Sequence, residues 1–413
     1  MKRKVGIMTV LIIIVVIMAA TGRYDDLIDL AKQEINGSEY LGGSKVISEV
    51  VVPSGNAEEQ GKSLSENEIN YEELENISYT AGYGYQLLNE EEKNIYVEIL
   101  NAINNLSEDV VISSSDVDQV IKIHEYVCAD NPELFWVKGY QVAPYEMDGE
   151  TVGVKYSGIY TMNAGQKENY QIALKQVTKA WLEEIAQYKE EYDKVKKAYE
   201  LVILNTEYEE DSSESQNILS VFLNGKSVCQ GYAEAFQYLL KHSGIQSILV
   251  TGTASNGVST QPHAWNMVSI GGNYYQFDVT WGEPNYQATE KEKVKWDMSY
   301  KYFGITDEEM YRNHTIETEI PLPECHNKEY NYFIKEGYYY TELDKRQLKL
   351  QFMEAEKANL GVAHIKCDNG LLYKEFVKYL IEDSKVFYII RNQTEIQYSL
   401  DDDMMCISIF WEV

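Results

Sequence analysis

Cysteine is scarce in this chain, five residues in 413, and no two of them are spaced as a CxxC pair. A disulfide framework is therefore not indicated. Without a paired-cysteine or HxxxH pattern, neither is a zinc site, and no metal is expected. Basic residues are also few: 36 Lys and Arg stand against 66 Asp and Glu, a formal net charge of -30. That field disfavours nucleic acid and anionic lipid surfaces as partners, and it suits cationic substrates or plain solubility. Sustained heptads are missing too, which argues against a coiled coil.

What is present begins with Lys2, Arg3 and Lys4 ahead of an apolar run over residues 5–20. This reads as a signal peptide or a single membrane anchor over residues 1–22, the anchor lying within 5–22. The basic flank places the rest of the chain outside the cytoplasm, extracellular or at the cell surface. Residues 23–76 are polar and acidic and read as a flexible linker. Beyond them an α+β organisation is expected in three units: residues 77–163, 164–320 and 321–413.

In the first unit, helical spacing predicts helices over residues 89–106 and 115–129, the second carrying His124 in a structural or solvent role. Strands are expected to follow at 134–137, 140–142 and 151–160. Residues 166–205 read as two helices divided near Tyr188. In the last unit, strands are expected over 330–334, 337–341, 386–391 and 405–411, with a helix around 371–381.

The middle unit holds the chemistry. Gly225 and Ser227 prepare a turn that places Cys229 in the first turn of a helix reaching Ser243, where the macrodipole favours a thiolate. A cysteine in such a place is more often an inert core residue. The following hairpin changes that reading. Residues 263–270 and 274–281 read as strands joined by Gly271 and Gly272. That register pairs His263 with Thr280 and Trp265 with Asp278, so Asp278 lies one diagonal step from His263 on the same face. Thiol, imidazole and carboxylate are the parts of an activated nucleophile. His314 is near enough in sequence to approach the site, but a place at the surface is expected.

The stretches Asn224-Gly225-Lys226-Ser227-Val228-Cys229-Gln230-Gly231-Tyr232-Ala233, Pro262-His263-Ala264-Trp265-Asn266 and Asp278-Val279-Thr280-Trp281 resemble the transglutaminase-like superfamily, with its papain-like core and Cys, His, Asp order. The resemblance covers residues 188–314 and implies an α+β fold in which a helical part packs on an antiparallel sheet. It implies Cys229 as nucleophile, His263 as general base and acid, and Asp278 as the orienting carboxylate. An oxyanion donor would come from the Cys229 backbone N–H with a side chain, for which Gln216 is the candidate. Tyr232, Trp265 and Trp281 are further candidates for contact with substrate. The calcium-binding loops of animal transglutaminases have no match here, so the resemblance supports neither calcium activation nor cross-linking, and no cofactor is expected.

The expected function is thus an exported thiol enzyme that acts on peptide, protein or cell-wall peptide substrates through an acyl-enzyme. With water as acceptor it is a peptidase or amidase; with a lysine amine it is a transferase. A catalytically silent surface scaffold is the alternative, and an intact trio argues against it. The last unit is expected to bind substrate or a partner.

Overall fold

The computed structural model describes residues 82–209, 216–283 and 298–412. The expected signal or anchor and the linker lie outside the described residues.

Side-chain caps write the first helices. After the short α1 (Tyr83–Gln86), Asn89 and Glu92 form a reciprocal capping box that starts α2 (Glu90–Asn104). β1 (Val110–Ile112) follows. The Asp116 carboxylate accepts from the first-turn N–H groups of α3 (Val117–Asp130). The long hairpin β2 (Val137–Met147) and β3 (Glu150–Tyr160) then completes an antiparallel sheet in the order β1-β3-β2. Residues 134–136, expected in a strand, form a turn ahead of β2.

Two helices follow, α4 (Ala164–Ile185) and α5 (Glu191–Leu204), divided where the sequence places a break. The short parallel pair β4 (Glu207–Tyr208) and β5 (Lys226–Ser227) leads into α6 (Cys229–His242). The second sheet follows: β6 (Ser247–Ser255), β7 (Thr260–Ile270), β8 (Asn273–Phe277), β9 (Phe303–Ile305) and, after the short α7 (Asp307–Met310), β10 (His314–Ile316). Its order is β10-β6-β7-β8-β9, antiparallel throughout. Gly271 and Gly272 turn β7 into β8 with φ of +60° and +77°, the left-handed conformation that a two-residue hairpin of this hand requires.

α6 packs across β6 and β7. On its apolar face, fully buried Phe236 meets Phe277 of the sheet with ring centroids 5.9 Å apart, and Ala233 packs on Leu249 and Ala264. Phe277 and Phe303 meet edge to face at 4.7 Å on neighbouring strands. A helical part on an antiparallel sheet makes this an α+β fold.

The last sheet is ordered β11 (Tyr339–Tyr340), β12 (Val362–Cys367), β14 (Cys406–Phe410), β13 (Gln397–Asp401). Around it lie α8 (Tyr332–Lys335), α9 (Lys345–Lys357), α10 (Gly370–Val377) and α11 (Val386–Ile389). Two expectations fail in this region. Residues 330–334 and 386–391, rich in β-branched and aromatic side chains, run instead into the short helices α8 and α11. For α8 the reason is local, because Asn331 caps Phe333 N–H. For α11 it is tertiary: Val386 and Ile390, one helical turn apart, are both buried in the core of this unit.

Candidate active site

Cys229 is the first residue of α6, and no side chain caps that helix start. Ser227, expected to prepare it, instead pairs its hydroxyl with that of Ser220 at 2.6 Å beneath the turn. The first N–H groups of a helix have no intrahelical acceptor, and Cys229 stands at that end of α6. Cys229 is partly exposed and packs against Ala233, Leu249 and Ala264. Asn266 of β7 donates to the Ala233 carbonyl at 3.1 Å, which fixes the helix against the strand that carries His263.

His263 Nε2 lies 2.8 Å from Asp278 Oδ2, with both side chains almost wholly shielded from water. The other ring nitrogen is thereby left for the Cys229 side chain, which also hydrogen-bonds this imidazole. Burial alone would lower the basicity of His263. The Asp278 carboxylate and then the Cys229 sulfur outweigh it, and the imidazole is raised to about 10. Burial likewise opposes ionisation of Asp278, yet its histidine partners hold it well below the usual carboxylate range.

Asp278 reaches His263 by a route different from the one the sequence suggested. The turn register is as expected near the glycines, Ile270 opposite Asn273 and Asn266 opposite Phe277. But β8 ends at Phe277, so the pairs His263–Thr280 and Trp265–Asp278 do not form. Instead the chain leaves the sheet and turns through a single 3-10 turn, Thr280–Gly282. Asp278 is held there on all sides. Its N–H donates to the Tyr302 carbonyl at 3.0 Å, and its Oδ1 accepts from the Trp281 backbone N–H at 3.1 Å.

His314, expected at the surface, is 2% exposed and reaches the same carboxylate, Nε2 to Asp278 Oδ2, at 3.1 Å. Its approach could not be read from local pattern, because it depends on β10 pairing with β6 across more than fifty residues. His263, Asp278 and His314 bring one donor atom each within 4.8 Å of one another, close enough to converge on an ion. Both imidazole nitrogens lie within hydrogen-bond distance of the one Asp278 oxygen, so the cluster is held together by its own hydrogen bonds.

The remaining candidates divide. Trp265 is fully buried behind His263, stacked at 6.2 Å, and its indole N–H donates to Gln276 Oε1 at 2.8 Å. Gln276 continues to Asp307 Oδ1 at 2.9 Å, so a satisfied polar chain braces the back of the sheet. Trp281 is half-buried with its ring 5.8 Å from that of His263. Tyr232 is fully buried, and its hydroxyl donates to the Thr206 carbonyl and to Glu283 Oε2 at 3.0 and 2.7 Å. With ring and hydroxyl both enclosed, Tyr232 anchors the helix and offers no surface to a substrate, contrary to expectation. Gln216 is exposed at the start of the segment that leads to Cys229.

Residues 179–279 match the model of the transglutaminase-like superfamily. This chain carries a transglutaminase-like domain. The matched stretch includes Cys229 and His263 and ends one residue past Asp278. Among solved structures this chain is similar to a crystal structure of a TGase, at 18% identity over 38% of this chain and 49% of that one, with a TM-score of 0.24. It is also similar to the periplasmic domain of TgpA from Pseudomonas aeruginosa, at 11% identity over 35% of this chain and 63% of that one, with a TM-score of 0.22. The chain thus spans less than two thirds of either structure. Among curated proteins none matches it.

The other four cysteines are free as well, and burial pushes their thiols up, Cys128 and Cys367 to about 12 and Cys406 to about 11. Among the described residues none of them faces an imidazole–carboxylate pair; Cys128 contacts His124, whose hydrogen-bond partners there are that sulfur and the Tyr156 hydroxyl. Among the described residues no helix is long and apolar enough to cross a membrane.

Proposed function

We propose that the chain is an exported thiol enzyme that opens amide bonds of peptide, protein or cell-wall peptide substrates through a Cys229 acyl-enzyme. The carrying observation is the buried 2.8 Å contact between His263 and Asp278, with Cys229 on the other side of the imidazole. In the first step the Cys229 sulfur attacks the carbonyl carbon. His263 takes the thiol proton, and the C–N bond breaks as that proton passes to the departing amine. A thioester remains. In the second step water, or an amine, attacks the thioester carbon and gives a proton to His263, and the sulfur leaves. The products are an acid, or a new amide, and the regenerated pair. The Cys229 N–H at the helix start is the main-chain donor for the oxyanion; Gln216, exposed on the approach to it, is the candidate side-chain donor. No cofactor enters either step.

Export is supported by the basic and apolar pattern of residues 2–20. The test is a thiol-reactive active-site probe, followed by incubation with cell-wall peptides and, separately, with a glutamine-donor protein and a labelled amine. Probe labelling lost in Cys229→Ala, with release or transfer also lost, is the expected result. Equal behaviour of wild type and Cys229→Ala on every substrate, with no probe labelling of either, would leave a silent scaffold as the correct reading.

A further inference from the structure

Asp278 Oδ2 faces two imidazoles, His263 Nε2 at 2.8 Å and His314 Nε2 at 3.1 Å. The second ring is held as firmly as the first. It packs against Trp281, Trp265 and Tyr302 with centroids 4.7, 5.1 and 5.6 Å away. Its Nδ1 lies 2.6 Å from Asn313 Oδ1, and Asn313 Nδ2 in turn donates to the Tyr302 hydroxyl at 2.6 Å.

The fold is shaped to bring it there. Gly252 stands opposite His263 on β6, and a Cβ on it would lie 1.9 Å from the Thr315 carbonyl oxygen, so only a glycine lets β10 close on the sheet at this height. The segment before β10 is clamped from the C-terminal sheet. Glu309 of α7 pairs with Lys366 of β12 at 2.8 Å, with 7% and 1% of their side chains exposed.

Two N–H donors on one carboxylate oxygen compete, since charge committed to one is less available to the other. We infer that His314 is a positioning residue that shares Asp278 Oδ2 with His263 and so limits how firmly the carboxylate holds the proton on His263, keeping that proton transferable to a departing amine. The inference rests on Cys229 and His263 being the reacting pair. The groups facing His263 are Asp278, His314 and Cys229, with Trp265 and Trp281 beside it. Those facing His314 are Asp278, His263, Asn313 and Tyr302, with the two tryptophans again beside it.

The rate of iodoacetamide alkylation at Cys229, followed by mass spectrometry against pH on the whole chain, reads the sharing directly. His314→Phe keeps a ring among the aromatics and removes the donor; His314→Gln keeps an N–H. Undivided, Asp278 holds the imidazolium more firmly, so in His314→Phe the acid limb moves to lower pH by about one unit, and His314→Gln returns it toward wild type. A limb that stays in place or moves upward in His314→Phe, whatever the change in melting temperature, overturns the inference. Wild-type Cys229 that reacts like a free peptide thiol overturns instead the underlying reading of the site. Should His314→Phe not fold, nitrogen-15 histidine NMR of the wild type decides: a proton on Nε2 of both rings is expected, and a bare Nε2 on His314 sinks the sharing.

Discussion

His124 and His263 are equally buried, each 5% exposed, and their basicities move in opposite directions. His124, on α3, has neutral neighbours: the Tyr156 hydroxyl at 3.1 Å from Nδ1, the Cys128 sulfur at 3.5 Å from Nε2, and the Tyr140 ring with centroids 3.8 Å apart. Burial lowers it to about 4. His263 suffers the same desolvation, yet its carboxylate partner raises it to about 10. Both histidines touch a cysteine. What separates a structural Cys–His contact from a site for chemistry is the carboxylate behind the ring, because only a fixed negative charge offsets the loss of water around an imidazolium.

The contrast can be broken most completely at the sulfur. In Cys229→Ala, iodoacetamide labelling at pH 6 should fall to the level of the four other thiols, buried Cys325, Cys367 and Cys406 and half-buried Cys128, as read by site-resolved mass spectrometry. Labelling that persists at Cys128 at a comparable rate would erase the distinction between the two pairs.

Removing the carboxylate should turn His263 into a second His124. Asp278→Asn is expected to cost about 3–5 kcal/mol in denaturant unfolding, since it breaks a buried pair, and to move the acid limb of Cys229 labelling upward. No shift of that limb would mean that Asp278 does not govern the imidazole.

The two histidines also predict opposite slopes of stability against pH. His263, raised in the fold, contributes stability that is fully present below about 6.5 and is lost as pH rises toward about 10. His124, lowered in the fold, acts in the opposite sense. Its neutral form is favoured in the native state, so stability is lost as pH falls from about 6.5 toward about 4, by roughly 3 kcal/mol. His124→Phe should flatten the acid slope of the melting temperature and leave the alkaline slope alone. An unchanged acid slope would assign it to other groups.

The smallest effect sharpens the comparison by leaving the site intact. Tyr232→Phe removes the hydroxyl's bonds to Thr206 and Glu283 and should cost about 1–2 kcal/mol in thermal unfolding, with Cys229 labelling unaltered. A large change in labelling would return Tyr232 to the site.

Much of this arrangement is legible locally. Asn89, Asp116 and Asn163 mark helix starts by their own hydrogen bonds, and the Gly271-Gly272 pair fixes the hairpin turn. These signals are readable because cap and turn energetics involve residues three or four apart. The helix that begins at Cys229 is legible from its apolar spacing, although its cap is not. Less legible are α8 and α11, where β-prone residues lie in helices. At α11 this is because side chains one helical turn apart fill one side of a core built by distant segments.

The sequence by itself determined the type of site: a thiol at a helix start, then an imidazole, then a carboxylate, in fixed order and on elements whose local pattern is strong. Tertiary structure decided how the carboxylate is held. β8 ends before Asp278, and the 3-10 turn, the Trp281 and Tyr302 backbones and a second histidine arriving on β10 together orient it. The Trp281 contact and the 3-10 turn lie within four residues of Asp278, but Tyr302 and His314 do not; strand pairing across long separations has no local signature, and it is through such pairing that His314 leaves the expected surface for the centre of the site.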